Sequence, residues 1–388
     1  MTATSVTVGQ VDDLSLPIAG LFKGAEQGTQ AYFDYVNSQG GVNGRKVILD
    51  ARDSQYQGGV VAGATENIIQ RDFAMVGGFS LLDSAELPLI DLEHMPDVAF
   101  PLDVSLSESP YVYSPAPNPT EDESVGFAKY LKEKYPQAIK HVGILWAMAT
   151  PSTSETEAGF ESALRSQGFH IVYDDGFTDT EFTFLSQVLA MKADGVKLFY
   201  STEMPDFDAA TLAKEMEQQN FRPIVVQGAA YSAAFLQDAG GEAQGTYIEQ
   251  AYPLYLPGSQ DSKDVPAAKM FDHWMKVVSS NPDFEIEAVY GWMSAQLFVE
   301  ALKNAGSPPT RAGLFAALDK ITNFDAGGMI SPSDPAHNIP PDCWVLGQVK
   351  GNSIVRVPPD PKTGFVCSPG GRIALHGFKP ENRPAVSP

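Results

Sequence analysis

The chain has 388 residues, 43% hydrophobic and 19% charged, and its 48 acidic against 26 basic side chains leave a net charge of −22. That length exceeds one ordinary domain, and the composition suits a soluble protein with apolar cores. The negative field repels a polyanion, which sets nucleic acid aside as a partner, and no stretch approaches the roughly 20 apolar residues of a membrane helix.

Met1-Thr2-Ala3-Thr4-Ser5 leads directly into the apolar strand Val6 to Val11, as a trimmed mature form with a start Met would, and as a cytoplasmic protein would. Between Gly24 and Asn37, Ala25, Thr29, Tyr32, Tyr35 and Val36 recur at helical spacing, and Gly40-Gly41 stops that helix before the strand Val47-Ile48-Leu49. The alternation repeats as helix Gly59 to Gln70 and strand Ala74 to Val76, then helix Ser84 to His94 and strand Val98 to Phe100. The proline-rich run Ser114 to Pro119 reads as a crossover, since proline suits neither helix interiors nor inner strands.

A second unit follows with helix Glu121 to Tyr135, strand His141 to Trp146, helix Ser154 to Gln167 and strand Phe169 to Tyr173. It continues through helix Glu181 to Lys192, strand Val196 to Tyr200, helix Asp206 to Gln219, strand Pro223 to Gln227 and helix Ser232 to Asp238. After Tyr252 come helices at Val265 to Ser279, Glu287 to Asn304 and Thr310 to Lys320. A hairpin of Trp344 to Val349 and Ile354 to Val357 then turns at Gly351-Asn352. The βα rhythm predicts an α/β protein of two lobes, each a mainly parallel sheet flanked by helices, with ligand taken beyond the carboxyl ends of the strands.

Motifs for catalysis are missing. Gly78-Phe79-Ser80-Leu81-Leu82 lacks the second glycine of a nucleophile elbow, and Gly40 to Lys46 lacks the ending of a phosphate loop. The six histidines show no metal-ligand spacing. No enzyme activity, metal or cofactor is expected. Val76-Gly77-Gly78-Phe79-Ser80-Leu81-Leu82-Asp83-Ser84 has two readings: an anion site at a helix start, or an ordinary turn capped by Asp83 or Ser84. Cys343 and Cys367 are either two free thiols or a disulfide tying down the tail, the latter implying an oxidising compartment.

The stretch Gly20 to Gly28, then Ala31-Tyr32, Val36-Asn37, Gly40-Gly41-Val42-Asn43-Gly44-Arg45-Lys46-Val47 and Asp53-Ser54 resembles the branched-chain amino-acid binding proteins. These are type I periplasmic binding proteins of ABC transporters. The likeness runs through most of the chain and is strongest over about residues 5 to 80. It implies two lobes joined by three hinge crossings: residues 5–118 with 252–325, and 119–251 with 326–388. It also implies hinge closure over a small molecule, ABC permease subunits as partners, a monomer, an extracytoplasmic location in a bacterium, and an optional lipid anchor upstream of residue 1.

Ligand contacts carry over in part. The family grips a ligand carboxylate after the glycine-rich strand end, which here reads Ser80-Leu81-Leu82, and the next loop offers Asp103. In the second lobe the matching positions are Thr150, Glu203 and Met204, and the acid that holds an α-ammonium falls at Ala229, within Gln227 to Tyr231. A buried ammonium without a carboxylate partner is costly. The resemblance therefore implies either substitution by Asp103 or Glu203, or a ligand other than an amino acid. Leu81, Leu82, Met204 and Tyr231 favour an aromatic or aliphatic acid or another non-standard solute, with Gln227, Asp103 and Glu203 as hydrogen-bonding groups. A sensory ligand-binding domain of the same fold is the alternative.

Overall fold

The computed structural model describes residues 1–15, 22–117, 122–148, 151–178, 181–202, 204–357, 364–367 and 371–374. The chain divides into two compact units, unit 1 from Met1–Pro119 and Pro266–Pro341, and unit 2 from Thr120–Val265 and Asp342–Phe378. No described helix is long and apolar enough to cross a membrane.

Unit 1 holds strands β1 (Ser5–Asp12), β2 (Lys46–Asp53), β3 (Met75–Val76), β4 (Asp97–Val98) and β5 (Val112–Tyr113). They form one parallel sheet in the order β2-β1-β3-β4-β5. The inner strand β1 buries Val6, Val8 and Val11 almost completely, as a strand covered on both faces must. The helix Lys23–Ser38 buries Ala25, Thr29, Tyr32 and Val36 of the predicted stripe together with Phe33, while Tyr35, also predicted, is only half-buried. It packs on the helix Ile286–Leu302, whose residues are buried nearly all round. Glycine allows that approach: a Cβ on Gly28 would lie 1.9 Å from the carbonyl oxygen of Ala288, and one on Gly291 2.1 Å from that of Ala25. Gly40 and Gly41, at φ of +99° and +77°, then turn the chain toward β2.

Unit 2 holds β6 (Asp122–Ser124), β7 (Val142–Ala147), β8 (Ile171–Phe177), β9 (Leu198–Ser201), β10 (Ile224–Gln227), β11 (Tyr247–Gln250), β12 (Cys343–Lys350), β13 (Ser353–Arg356), β14 (Val366–Cys367) and β15 (Arg372–Ala374). Its main sheet runs β13-β12-β11-β10-β9-β7-β8, with β14 beside β12. Strands β7 to β11 pair in parallel, and the C-terminal hairpin adds antiparallel to β11. One face of this sheet packs Leu198, Tyr200, Val226, Tyr247 and Leu346 with Phe127, Leu131 and Trp344.

Three expectations change. The helix predicted from Glu121 begins at Gly126, because Asp122–Ser124 pairs antiparallel with Arg372–Ala374, a partner remote in sequence. The helix predicted from Glu181 begins at Leu185, where the Glu215 carboxylate accepts from the Phe184 N–H and the Thr183 hydroxyl. The unit boundaries also shift. Residues 252–265 lie in unit 2, where the Leu256 N–H donates to the Tyr231 hydroxyl and the Leu254 N–H to Asp261. Residues 326–341 lie in unit 1, where the Ser333 hydroxyl donates to the Pro115 carbonyl at 2.7 Å.

Cys343 and Cys367 form a disulfide between β12 and β14. Closing a loop of 24 residues removes freedom mainly from the unfolded chain. Reduction, or replacement of both cysteines by serine, is therefore expected to cost about 3 kcal/mol. Melting with and without reductant reads this, and an unchanged melting temperature would refute a stabilising role.

Candidate functional site

Parallel strands bring their last residues and the loops behind them to one edge of a sheet, where loop N–H groups are free to bind. In unit 1 that edge carries Asp12 at the end of β1 and Asp13 just after it, Ser54 after β2, Gly77 to Leu82 after β3, and Ala99 to Asp103 after β4.

Asp13 organises it. Its Oδ1 accepts from the Ser80 hydroxyl at 2.7 Å and from the Ser54 hydroxyl, and its Oδ2 accepts from the Leu81 N–H at 2.8 Å. Asp13 and Ser54 are fully buried, and Ser80 nearly so. The Ser80 oxygen also accepts from the Leu82 N–H at 3.1 Å. Beside it, Asp12 Oδ1 accepts from the Phe79 N–H at 2.9 Å and from the Gln10 side chain at 3.2 Å. Burial pushes the Asp12 carboxyl well above the usual range against those two bonds.

Asp83 does not cap the helix it precedes. Its Oδ2 accepts from the N–H of Leu102 at 2.7 Å and of Asp103 at 3.1 Å, tying the loop after β3 to the loop after β4. Burial pushes Asp83 up to about 7, and it does the same for Asp97. Glu86 rises well above its ordinary value through burial and then through the nearby charge of Asp97. Asp103 spends Oδ1 on the Ser105 N–H and hydroxyl, starting the short helix Val104–Ser107.

Aromatic rings line the same loops. Phe79 meets Phe22 edge-on at 5.0 Å, and Phe100 stacks on Tyr290 at 3.8 Å between centroids with an interplanar angle of 6°. Leu81, Leu82 and Phe100 remain partly exposed.

In unit 2, Met204 and Gln227 come together, the Gln227 amide reaching the Met204 sulfur at 3.9 Å. Gln227 sits in register with Ser201 on β9, so their side chains share a face of the sheet. Ser201, Gln227 and Gln250 are all buried, and Ser201 Oγ, Gln227 Oε1 and Gln250 Oε1 have no hydrogen-bond partner among the described residues. A buried oxygen left in that state costs stability unless an incoming group satisfies it. Ala229 is partly exposed and brings no charge.

Tyr231 is buried, its hydroxyl accepting from the Leu256 N–H at 3.1 Å and its ring set edge-on to Tyr255 at 5.0 Å. Those bonds make it a packing residue of unit 2. Thr150 and Glu203 lie outside the described residues.

The structure thus brings Ser80, Leu81, Leu82 and Asp103 to one edge in unit 1, and Met204, Gln227 and Ala229 to one edge in unit 2. Sequence reasoning missed Asp12, Asp13, Phe79, Phe100 and Tyr290. A pair of acids closing an apolar strand, Val11-Asp12-Asp13, was the available signal for the first two.

Residues 5–353 match the model of a family described as periplasmic binding protein. A Leu/Ile/Val-binding protein homolog from Brucella melitensis is 21% identical over 346 residues, covering 84% of this chain and 89% of the relative. Among solved structures, a fatty acid ABC transporter substrate-binding protein from Thermomonospora curvata is 20% identical, with a TM-score of 0.74 over 92% of each chain. A solute-binding protein of an ABC transporter from R. palustris, in complex with benzoate, is 15% identical, with a TM-score of 0.73 over 96% of this chain and 98% of its own.

Proposed function

The chain belongs to the periplasmic binding protein family, and we propose that it is the extracytoplasmic solute-binding component of an ABC uptake transporter. It holds a small organic solute without chemical change, and closure about the hinge hands that solute to the permease. The solute has an apolar body and is not a branched-chain amino acid.

The observation that carries this reading is the aromatic cluster of unit 1, in which Phe79, Phe100 and Tyr290 stack on one another at the sheet edge that also carries the partly exposed Leu81 and Leu82. Such a surface suits a flat or aliphatic body. Absence of an acid at Ala229, and use of Asp103 as a helix-starting residue, remove two anchors for an α-ammonium. A fatty acid ABC transporter substrate-binding protein and a solute-binding protein in complex with benzoate share the fold, which supports an apolar body for this solute.

Thermal-shift screening of the purified chain tests this. A solute at a hundredfold excess over its Kd stabilises the folded state by about 3 kcal/mol. Aromatic and aliphatic solutes are expected to raise the melting temperature by several degrees. Shifts with leucine, isoleucine or valine, and none with the apolar panel, would refute the assignment.

A further inference from the structure

We propose that Asp13 is a specificity-determining residue that fills the anion-holding donors of unit 1 from within the chain, so that the solute offers a neutral or cationic hydrogen-bond donor and not a carboxylate. The inference rests on the solute-binding reading above and narrows it to apolar-bodied amides, alcohols or amines.

The donors themselves argue for this. Two hydroxyls and one loop N–H, from Ser54, Ser80 and Leu81, are what a ligand carboxylate would need at this edge, and all three already point at Asp13. Each hydroxyl has one proton to give, so neither keeps a second for an incoming anion. Ser80 retains only acceptor capacity, part of it used by the Leu82 N–H. A second carboxylate would also sit directly beside the Asp13 carboxylate that these three donors already meet.

Two arms test the proposal on the full chain. In the first, Asp13→Ala leaves the Ser54, Ser80 and Leu81 donors around a space the size of a small carboxylate. The variant is expected to melt lower than wild type and to regain stability saturably with sodium formate, but not with sodium chloride at equal ionic strength. Wild type is expected to treat the two salts alike. A variant that folds only when refolded with formate supports the same conclusion, whereas indifference to formate, in melting or in refolding, overturns it. In the second arm, matched pairs such as benzoate with benzamide and octanoate with octanamide are titrated against wild type. The amide is expected to bind at least tenfold more tightly, and an acid preference lost in Ser80→Ala would overturn the proposal. Formate rescue without binding of any solute would preserve the role of Asp13 and refute the solute-binding reading. Acid-preferring binding would do the reverse.

Discussion

Replacement of Arg356 by methionine is expected to destabilise unit 2 by about 3–5 kcal/mol, because it strands a buried charge. The Arg356 and Asp261 side chains are 1% and 0% exposed. Arg356 Nη2 donates to Asp261 Oδ2, Nε reaches Oδ1 at 3.3 Å, and Nη1 donates to the Gly364 carbonyl at 2.6 Å. Asp261 also accepts the Leu254 N–H at 2.7 Å, so one carboxylate fixes the 252–265 segment to the hairpin strand β13 and to the chain beyond it. Losing the cation removes charge-assisted bonds and leaves Asp261 without water or a counter-ion. The double variant Arg356→Met with Asp261→Leu removes both charges and should recover a large part of the loss, since a matched apolar pair costs little where a lone ion costs much. Urea denaturation of the two variants and wild type checks this. Single and double variants of equal stability would mean that the pair does not act as a unit.

The buried acids of unit 1 should make the protein more stable in mild acid than at neutral pH. Asp83 and Asp97 are pushed up to about 7, with burial as the first cause in each, while in the unfolded chain they return to the ordinary carboxylate range. At low pH both states carry the protons and the stability is fully present. As pH rises from about 4 through 7, the unfolded chain releases them first, and stability is lost. For Asp83 a displacement of about three units at about 1.4 kcal/mol per unit makes the effect on the order of 4 kcal/mol, and Asp97 acts in the same direction. Glu86 and Asp12 act in the same direction. The net charge of −22 adds repulsion as further acids ionise. Calorimetric melting between pH 4.5 and 8 should show a falling transition temperature. Glu86→Gln combined with Asp97→Asn should flatten the slope, and a transition temperature that climbs over this interval would contradict it.

Legibility followed the range of the interactions involved. The helix Lys23–Ser38 was readable because Ala25, Thr29, Tyr32 and Val36 repeat along one local stripe. The Gly40-Gly41 turn was readable because only glycine adopts that backbone cheaply. The start of the helix Gly126–Lys134 was not, because the preceding strand answers to Arg372–Ala374. The site divides in the same manner. The glycine-rich strand end marks Ser80 and Leu81 in the sequence, but not the Asp13 carboxylate that accepts from both.

What the sequence alone determined is the alternation of strands and helices, the parallel sheets that alternation demands, and the likeness to the periplasmic binding proteins, since each depends on residues close along the chain. Only the tertiary structure decided how the polar groups at the sheet edges are used. Asp13 meets Ser80 and Leu81 across 67 and 68 positions. Asp83 holds the loop after β4, and Asp261 finds Arg356 across 95 positions. Hydrogen-bond donors carry no mark of their acceptor in the sequence, and the identity of the acceptor is what separates a free anion site from a filled one.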